Sequence, residues 1–288
     1  VSDSEVMMAA RLDGPETRFL PFNRGDHGAA GNPLNPNGHR TAYLWEEVWE
    51  RHSWLEILGR YCIAERDKKK QIRRLVFPRY HQLAVTRLLL QAVLEEGPGW
   101  RYLIQHSAGS GKTNSIAWTA HFLADLHDAH NNKVFDTVLV VSDRTVLDTQ
   151  LQEAIFDFER TAGVVATIKG EGGSKSAELA EALSGSKKIV VCTIQTFPFA
   201  LKAVQELAAT TGKKFAVIAD EAHSSQTGEA ASKLKQVLAA DGQEEDISTE
   251  DILAAQMSAK AGSSGISFVA FTATPKAKTL ELFGRPPK

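Results

Sequence analysis

Gln105-His106-Ser107-Ala108-Gly109-Ser110-Gly111-Lys112-Thr113 follows the apolar segment Tyr102-Leu103-Ile104 and opens an apolar-periodic stretch. A strand, a glycine-rich turn and a helix, in that order, make the context that a phosphate-binding loop requires. Glycines let the backbone N–H groups of Ala108, Gly109, Ser110 and Gly111 turn inward around a phosphate, while the N-terminus of the next helix adds its positive dipole end. Lys112 then reaches the β- and γ-phosphates of a nucleoside triphosphate, and the Thr113 hydroxyl enters the Mg²⁺ shell. His106 stands where the usual pattern, Gly-x-x-x-x-Gly-Lys-Ser/Thr, has its first glycine.

The second half of such a site is a carboxylate pair at the end of another buried strand. Phe215-Ala216-Val217-Ile218-Ala219 is a continuous apolar run, as a strand covered on both faces requires, and it delivers Asp220-Glu221-Ala222-His223. Asp220 is placed to hold Mg²⁺ through its water shell. Glu221 is placed to orient or deprotonate the water that attacks the γ-phosphate. An acidic pair after a strand otherwise serves as a helix N-cap; with the phosphate loop upstream, we read it with Lys112 as catalytic.

At 288 residues and 43% hydrophobic content, the chain can bury one large core, with or without a small appendage. No apolar run approaches the roughly 18 residues needed to span a bilayer, so no membrane partner is expected. The start at Val1 shows neither an initiator Met nor a secretion signal, which points to a piece of a longer protein. Cys62 and Cys192 lie far apart in sequence, with the second inside an apolar run, so neither a disulfide nor a metal site is expected and a reducing cytoplasm fits. His127 and His130 lack a surrounding cysteine or carboxylate constellation and read as a surface pair at a helix end. The net charge of -2 excludes a uniformly basic coat but not a local nucleic-acid track.

Residues up to Gly38 are rich in Gly, Pro and Asn around one apolar knot, Phe19-Leu20-Pro21-Phe22-Asn23, and read as extended chain. Trp45, Val48 and Trp49 fall on one helical face, and Ser53-Trp54-Leu55-Glu56 has the spacing of a capping box that starts a helix through Leu58 and Tyr61. From Arg60 to Arg74 seven basic residues face two acidic ones, a run read as a solvated connection. Beyond Pro78, strand-like runs at Tyr102–Gln105, Thr137–Val141, Val164–Ile168, Lys188–Thr193, Phe215–Ala219 and Ile266–Phe271 alternate with helical ones, such as Leu147, Leu151, Ile155 and Phe158. The alternation predicts an α/β fold, a mostly parallel doubly wound sheet flanked by helices, with its ligands at the carboxyl ends of the strands. We divide the chain into an N-terminal extended and helical segment, 1–76, and a nucleotide-binding domain, 77–288. The polar stretch 241–264 is read as an exposed insertion off any nucleic-acid track.

Read in order, Tyr80-His81-Gln82, the phosphate loop, Val141-Ser142-Asp143-Arg144, Cys192-Thr193-Ile194-Gln195-Thr196-Phe197, Asp220-Glu221-Ala222-His223 and Phe271-Thr272-Ala273-Thr274-Pro275 resemble the ordered motifs of the first RecA-like domain of a superfamily-2 helicase. Phe77-Pro78-Arg79-Tyr80-His81-Gln82, the stretch from Gln105 to Thr113, and Ala270-Phe271-Thr272-Ala273-Thr274-Pro275-Lys276 look like the motor subunit of type I restriction enzymes. Phe19-Leu20-Pro21-Phe22-Asn23 and Tyr43-Leu44-Trp45-Glu46 are similar to the segment joining nuclease and motor in that family, so the likeness covers the whole chain. It implies ATP and Mg²⁺ as cofactors. It implies that Gln82 reads the adenine edge, an amide being able to donate and accept together. Arg144, Thr193 and Gln195 would grip the backbone of the tracking DNA strand, contacts that position without reading sequence. Thr272 and Thr274 would couple the nucleotide site to that track, through hydrogen bonds toward His223.

The same likeness implies ATP-driven translocation of double-stranded DNA before cleavage, in complex with methylation and specificity subunits. It also implies a second RecA-like domain supplying an arginine finger, which these 288 residues do not contain. Such a finger contributes on the order of 10³ to 10⁵ in turnover, or roughly 4 to 7 kcal/mol, so the chain alone is expected to bind ATP and hydrolyse it poorly. No nuclease constellation is found in it. Two alternatives share these motifs: a motor domain of another superfamily-2 branch, including RNA helicases that contact 2′-hydroxyls, and a nucleotide-gated interaction module without turnover.

Overall fold

A computed structural model of the chain describes residues 1–66, 69, 71–107, 109–142, 145–159, 163–168, 175–193, 196–220, 265–275, 280 and 283. Ala108, Arg144, Gln195, Glu221 and His223 lie outside the described residues, as does the stretch 241–264. The chain divides into two compact units, Val1–Leu88 and Leu89–Lys288.

The first unit is built around polar and aromatic anchors, because its sequence offers few periodic apolar runs. Strands β1 (Met7–Met8) and β2 (Leu20–Pro21) pair antiparallel, and Phe22 is buried directly after them. The buried Asn32 fastens three parts of the extended chain: its Nδ2 donates to the Ser4 carbonyl and Asn23 Oδ1, and its Oδ1 accepts from the Arg24 amide. Tyr43 donates its hydroxyl to the Phe22 carbonyl, and burial pushes this phenol up to about 12. The Arg24 guanidinium lies over the rings of Tyr43 and Tyr80, 5.6 and 5.9 Å from their centroids, and pairs with Glu47 at 3.0 Å.

Helix α1 (Arg51–Glu56) lies between two π-helical turns, Leu44–Val48 and Ile57–Tyr61. Its cap is Glu50, whose carboxylate accepts from the amides of His52 and Ser53; those bonds hold the carboxyl below its ordinary range. Ser53, expected from the sequence to be the cap, instead lies inside the helix and receives Arg87 Nη2 at 2.9 Å. Trp45 and Trp49 are about half exposed, whereas Val48 is buried. The basic run expected to be a simple connection forms an antiparallel hairpin, β3 (Ile63–Arg66) with β4 (Ile72–Val76). Helix α2 (Tyr80–Glu96) begins in this unit, where Arg87 also binds Glu56 at 2.6 and 3.0 Å.

The second unit is a six-stranded parallel sheet. Its elements in chain order are β5 (Arg101–Gln105), α3 (Lys112–Ala124), β6 (Thr137–Ser142), α4 (Thr145–Asp157), β7 (Val165–Thr167), α5 (Lys175–Ser184), β8 (Ile189–Thr193), α6 (Phe197–Thr211), β9 (Phe215–Asp220) and β10 (Ile266–Thr272). The strands lie in the order β5-β10-β9-β6-β8-β7, each pair parallel. Parallel strands buried on both faces need apolar side chains on each, which is why β6 carries an apolar run over residues 138–141 and is buried throughout. Alternate residues separate to two faces. Leu139, Val141, Val190, Cys192, Val217 and Ala219 form one core with Leu179 and Leu183 of α5 and Leu201 and Val204 of α6. Helices α3 and α4 pack against the same strands and are tied together by Trp118 against Phe158, ring centroids 5.2 Å apart, and by His121 Nε2 at 2.8 Å from the Ile155 carbonyl. The fold is the expected α/β, RecA-like, doubly wound sheet. Among the described residues no helix is long and apolar enough to cross a membrane.

Candidate functional site

Because all six strands run the same way, every strand end named from the sequence falls on one edge of the sheet. The phosphate-loop candidate leaves β5 through His106, whose amide extends the ladder by donating to the Thr272 carbonyl at 2.8 Å. The loop then closes a tight turn, Ser110 N–H to the Ser107 carbonyl at 3.2 Å. Gly109 and Gly111 adopt φ of +73° and +83°, a region that side-chain-bearing residues rarely occupy. Gly111 is the N-cap of α3 and makes no side-chain cap. The glycine turn thus leads directly into the N-terminus of a 13-residue helix, the end at which an anion is favoured.

Asp220 ends β9, and β10 lies between β9 and β5. The loop and this carboxylate are therefore held two strand spacings apart, roughly 9.5 Å. Lys112 spans that interval: its Nζ stands 3.8 Å from Asp220 Oδ1, an ion-pair separation rather than a hydrogen bond, with both side chains mostly buried. Thr113 follows in the first turn of α3, half-buried. Lys112 and Asp220 thus meet beside the glycine turn, with Thr113 in the helix turn that follows it. A Cβ placed at Gly109 would meet no atom within 4 Å, so space lies open beside the turn. These residues fit a polyphosphate with a hard divalent cation, oxygen donors being what Mg²⁺ takes.

Thr272 is fully buried at the end of β10, opposite Gln105 of β5, and Thr274 is exposed two residues later. Thr193 ends β8 opposite Ser142 of β6, its hydroxyl 3.3 Å from that of Thr196, within the turn that feeds α6. Gln82 belongs to the first unit. It is buried, and its Oε1 accepts from the Arg79 amide at 2.9 Å, the back-reaching half of a capping box at the start of α2. Cys62 and Cys192 are free thiols. His127 and His130 lie in the exposed loop beyond α3, where Asp128 accepts from the amides of His130 and Asn132.

The sequence reading passed over the side chains of His106 and Ser110. Both are buried, and His106 Nδ1 lies 3.1 Å from Ser110 Oγ. The departure from glycine at position 106, four residues before Ser110, was the available signal.

A glycine turn between a strand and a helix N-terminus, faced across one intervening strand by a carboxylate, defines a P-loop nucleotide-binding domain of RecA-like form. A sequence profile of the SWI2/SNF2 ATPase family matches residues 81–243, more than half of the 288 residues, and the chain belongs to that family. No curated protein matches it in sequence. Solved structures of similar fold include a hypothetical ATP-dependent RNA helicase from Sulfolobus tokodaii, 21% identical, over 70% of this chain and 48% of that one, with a TM-score of 0.38. A nuclease-deletion mutant of the Type ISP restriction-modification enzyme LlaGI, in complex with a DNA substrate mimic, is 18% identical over 68% of this chain and 17% of that one, TM-score 0.40. A DEAD box protein from the hyperthermophile Methanococcus jannaschii is 22% identical over 72% of this chain and 46% of that one, TM-score 0.44. The chain spans less than half the length of each.

Proposed function

We propose that this chain is the ATP-binding half of a DNA-translocating motor, of the kind found in type I restriction enzymes. The observation that carries the nucleotide site is the approach of Lys112 Nζ to Asp220 Oδ1 across β10. In this reading Lys112 balances the β- and γ-phosphates, Thr113 and Asp220 hold Mg²⁺, and the turn from Ala108 to Gly111 supplies backbone donors. Bound Mg²⁺ supplies charge neutralisation at the phosphates being cleaved. Glu221 follows Asp220 directly in the chain and is assigned the attacking water. Gln82 as adenine reader, Arg144, Thr193 and Gln195 as grips on the DNA backbone, and Thr272, Thr274 and His223 as the coupling set rest on the sequence motifs alone. So do the second RecA-like domain with its arginine finger, the methylation and specificity subunits, and a cytoplasmic setting.

The test has two arms. Lys112→Ala removes a charge-assisted contact, so ATP·Mg²⁺ affinity measured by calorimetry falls by roughly 100-fold while the circular dichroism spectrum is unchanged. Unaltered affinity would end the nucleotide assignment. In the full-length protein, ATP hydrolysis stimulated by duplex DNA and not by RNA supports the translocase; stimulation by RNA alone assigns the chain to a different superfamily-2 branch. The 288-residue chain by itself is expected to bind ATP with barely measurable turnover, and robust DNA-stimulated phosphate release from it would overturn the need for a second motor domain.

A further inference from the structure

We propose that His106 is a positioning residue of the phosphate loop, holding the loop closed through Ser110 and anchoring it to β10. The inference rests on reading the loop as the nucleotide site. Position 106 does not need glycine here: among described non-glycine residues only His27 and Asn131 have positive φ, so a side chain enters at no backbone cost. That side chain makes two contacts a glycine cannot. Its ring packs against Phe271 of β10 with centroids 5.9 Å apart, and its Nδ1 meets Ser110 Oγ at 3.1 Å.

The geometry explains why these contacts bear on phosphate binding. Ser110 lies between the two positive-φ glycines and immediately before the N-cap and Lys112, so fixing its side chain fixes the peptide units that present donors to the phosphate. A loop with two glycines in succession of three residues is otherwise free to sample other turns, and the ordering cost falls on ligand binding. The imidazole removes that freedom beforehand. Whichever ring nitrogen carries the proton, one hydrogen links the pair, with Nδ1 either accepting from or donating to the hydroxyl. Phe271 stands opposite Ile104 of β5 and Asp220 of β9 in the sheet register, so the ring that holds the loop is seated on the residue between loop and carboxylate.

Three substitutions in the full chain separate a positioning role from simple packing. His106→Phe keeps an aromatic ring against Phe271 but has no nitrogen for Ser110; affinity for ATP·Mg²⁺ is expected to fall roughly tenfold, the cost of ordering a loop that is no longer held closed beforehand, with the circular dichroism spectrum unchanged. His106→Asn places an amide near the Nδ1 position and is expected to recover most of that loss. Ser110→Ala matches His106→Phe, and the two combined lose no more than either alone. Wild-type affinity in His106→Phe, no recovery in His106→Asn, or additive losses in the double variant would each overturn the proposal. Lys112→Ala serves as reference: if it weakens binding while His106→Phe binds as tightly as the wild type, the positioning role alone fails, and if it too binds normally, the nucleotide site fails with it.

Discussion

The two units of this chain are stabilised by different means. The first, Val1–Leu88, is fastened by directional contacts: Asn32 with three partners, Tyr43 on the Phe22 carbonyl, Arg24 over two tyrosine rings, Arg87 on Glu56 and Ser53. The second, Leu89–Lys288, is an aliphatic sheet in which Val138, Leu139, Val140, Val190 and Val191 are fully buried, and the buried polar residues His106, Ser142 and Thr272 stand at or just beyond the carboxyl ends of strands. Irregular backbone must satisfy its own amides and carbonyls through side chains, whereas a parallel sheet satisfies them by its ladder and leaves its side chains to pack.

Substitutions can break that contrast. Leu139→Ala opens a cavity within β6 and should cost about 3 to 4 kcal/mol in the second unit, read by amide hydrogen exchange. Asn32→Ala leaves several buried groups unpartnered and should cost about 2 to 3 kcal/mol, confined to the first unit. If either change lowers protection equally in both, the units unfold as one and the contrast has no thermodynamic meaning. A smaller effect of opposite sign is expected in α3, where the hydroxyls of Ser115 and Thr119 are buried without a hydrogen-bond partner among the described residues. Thr119→Val should stabilise by about 1 kcal/mol in urea unfolding, because an unmet polar atom is exchanged for a methyl group of the same shape.

The smallest effect separates the units by pH. Tyr43, Tyr61 and Tyr80 are all held above the ordinary phenol value of 10.0, chiefly by burial, and all lie in the first unit. Raised folded-state values mean that the unfolded chain releases its phenol protons first. This stabilisation is intact below pH 10 and is lost as the pH climbs toward 12 for Tyr43, so the first unit should lose exchange protection before the second on alkaline titration.

The second unit was legible in the sequence. All six of its strands were located, since buried parallel strands write themselves as unbroken apolar runs, and the loop and acid motifs sit where those runs stop. The first was not. Glu50 as a cap lay one residue before the helix and three before the serine that matched the sequence pattern, and the hairpin at Ile63–Val76 was hidden by its charge. Asn32 could not be identified as an anchor because its partners lie up to 28 residues away, with no periodicity to announce them. At the site, sequence order suggested that Lys112 and Asp220 belong together; only the strand order reveals that β10 separates them.

That separation sets an order of assembly. β5 is the earliest strand of its sheet to be synthesised, yet its hydrogen-bonded neighbour among the described strands is β10, the last. During translation the strand leading into the glycine turn therefore waits, unpaired, until residues 266–272 have emerged. On the proposed assignment the loop and Asp220 are held in register only once β10 is in place, so an interrupted product ending before Ile266 carries the loop residues without the strand that positions them against Asp220.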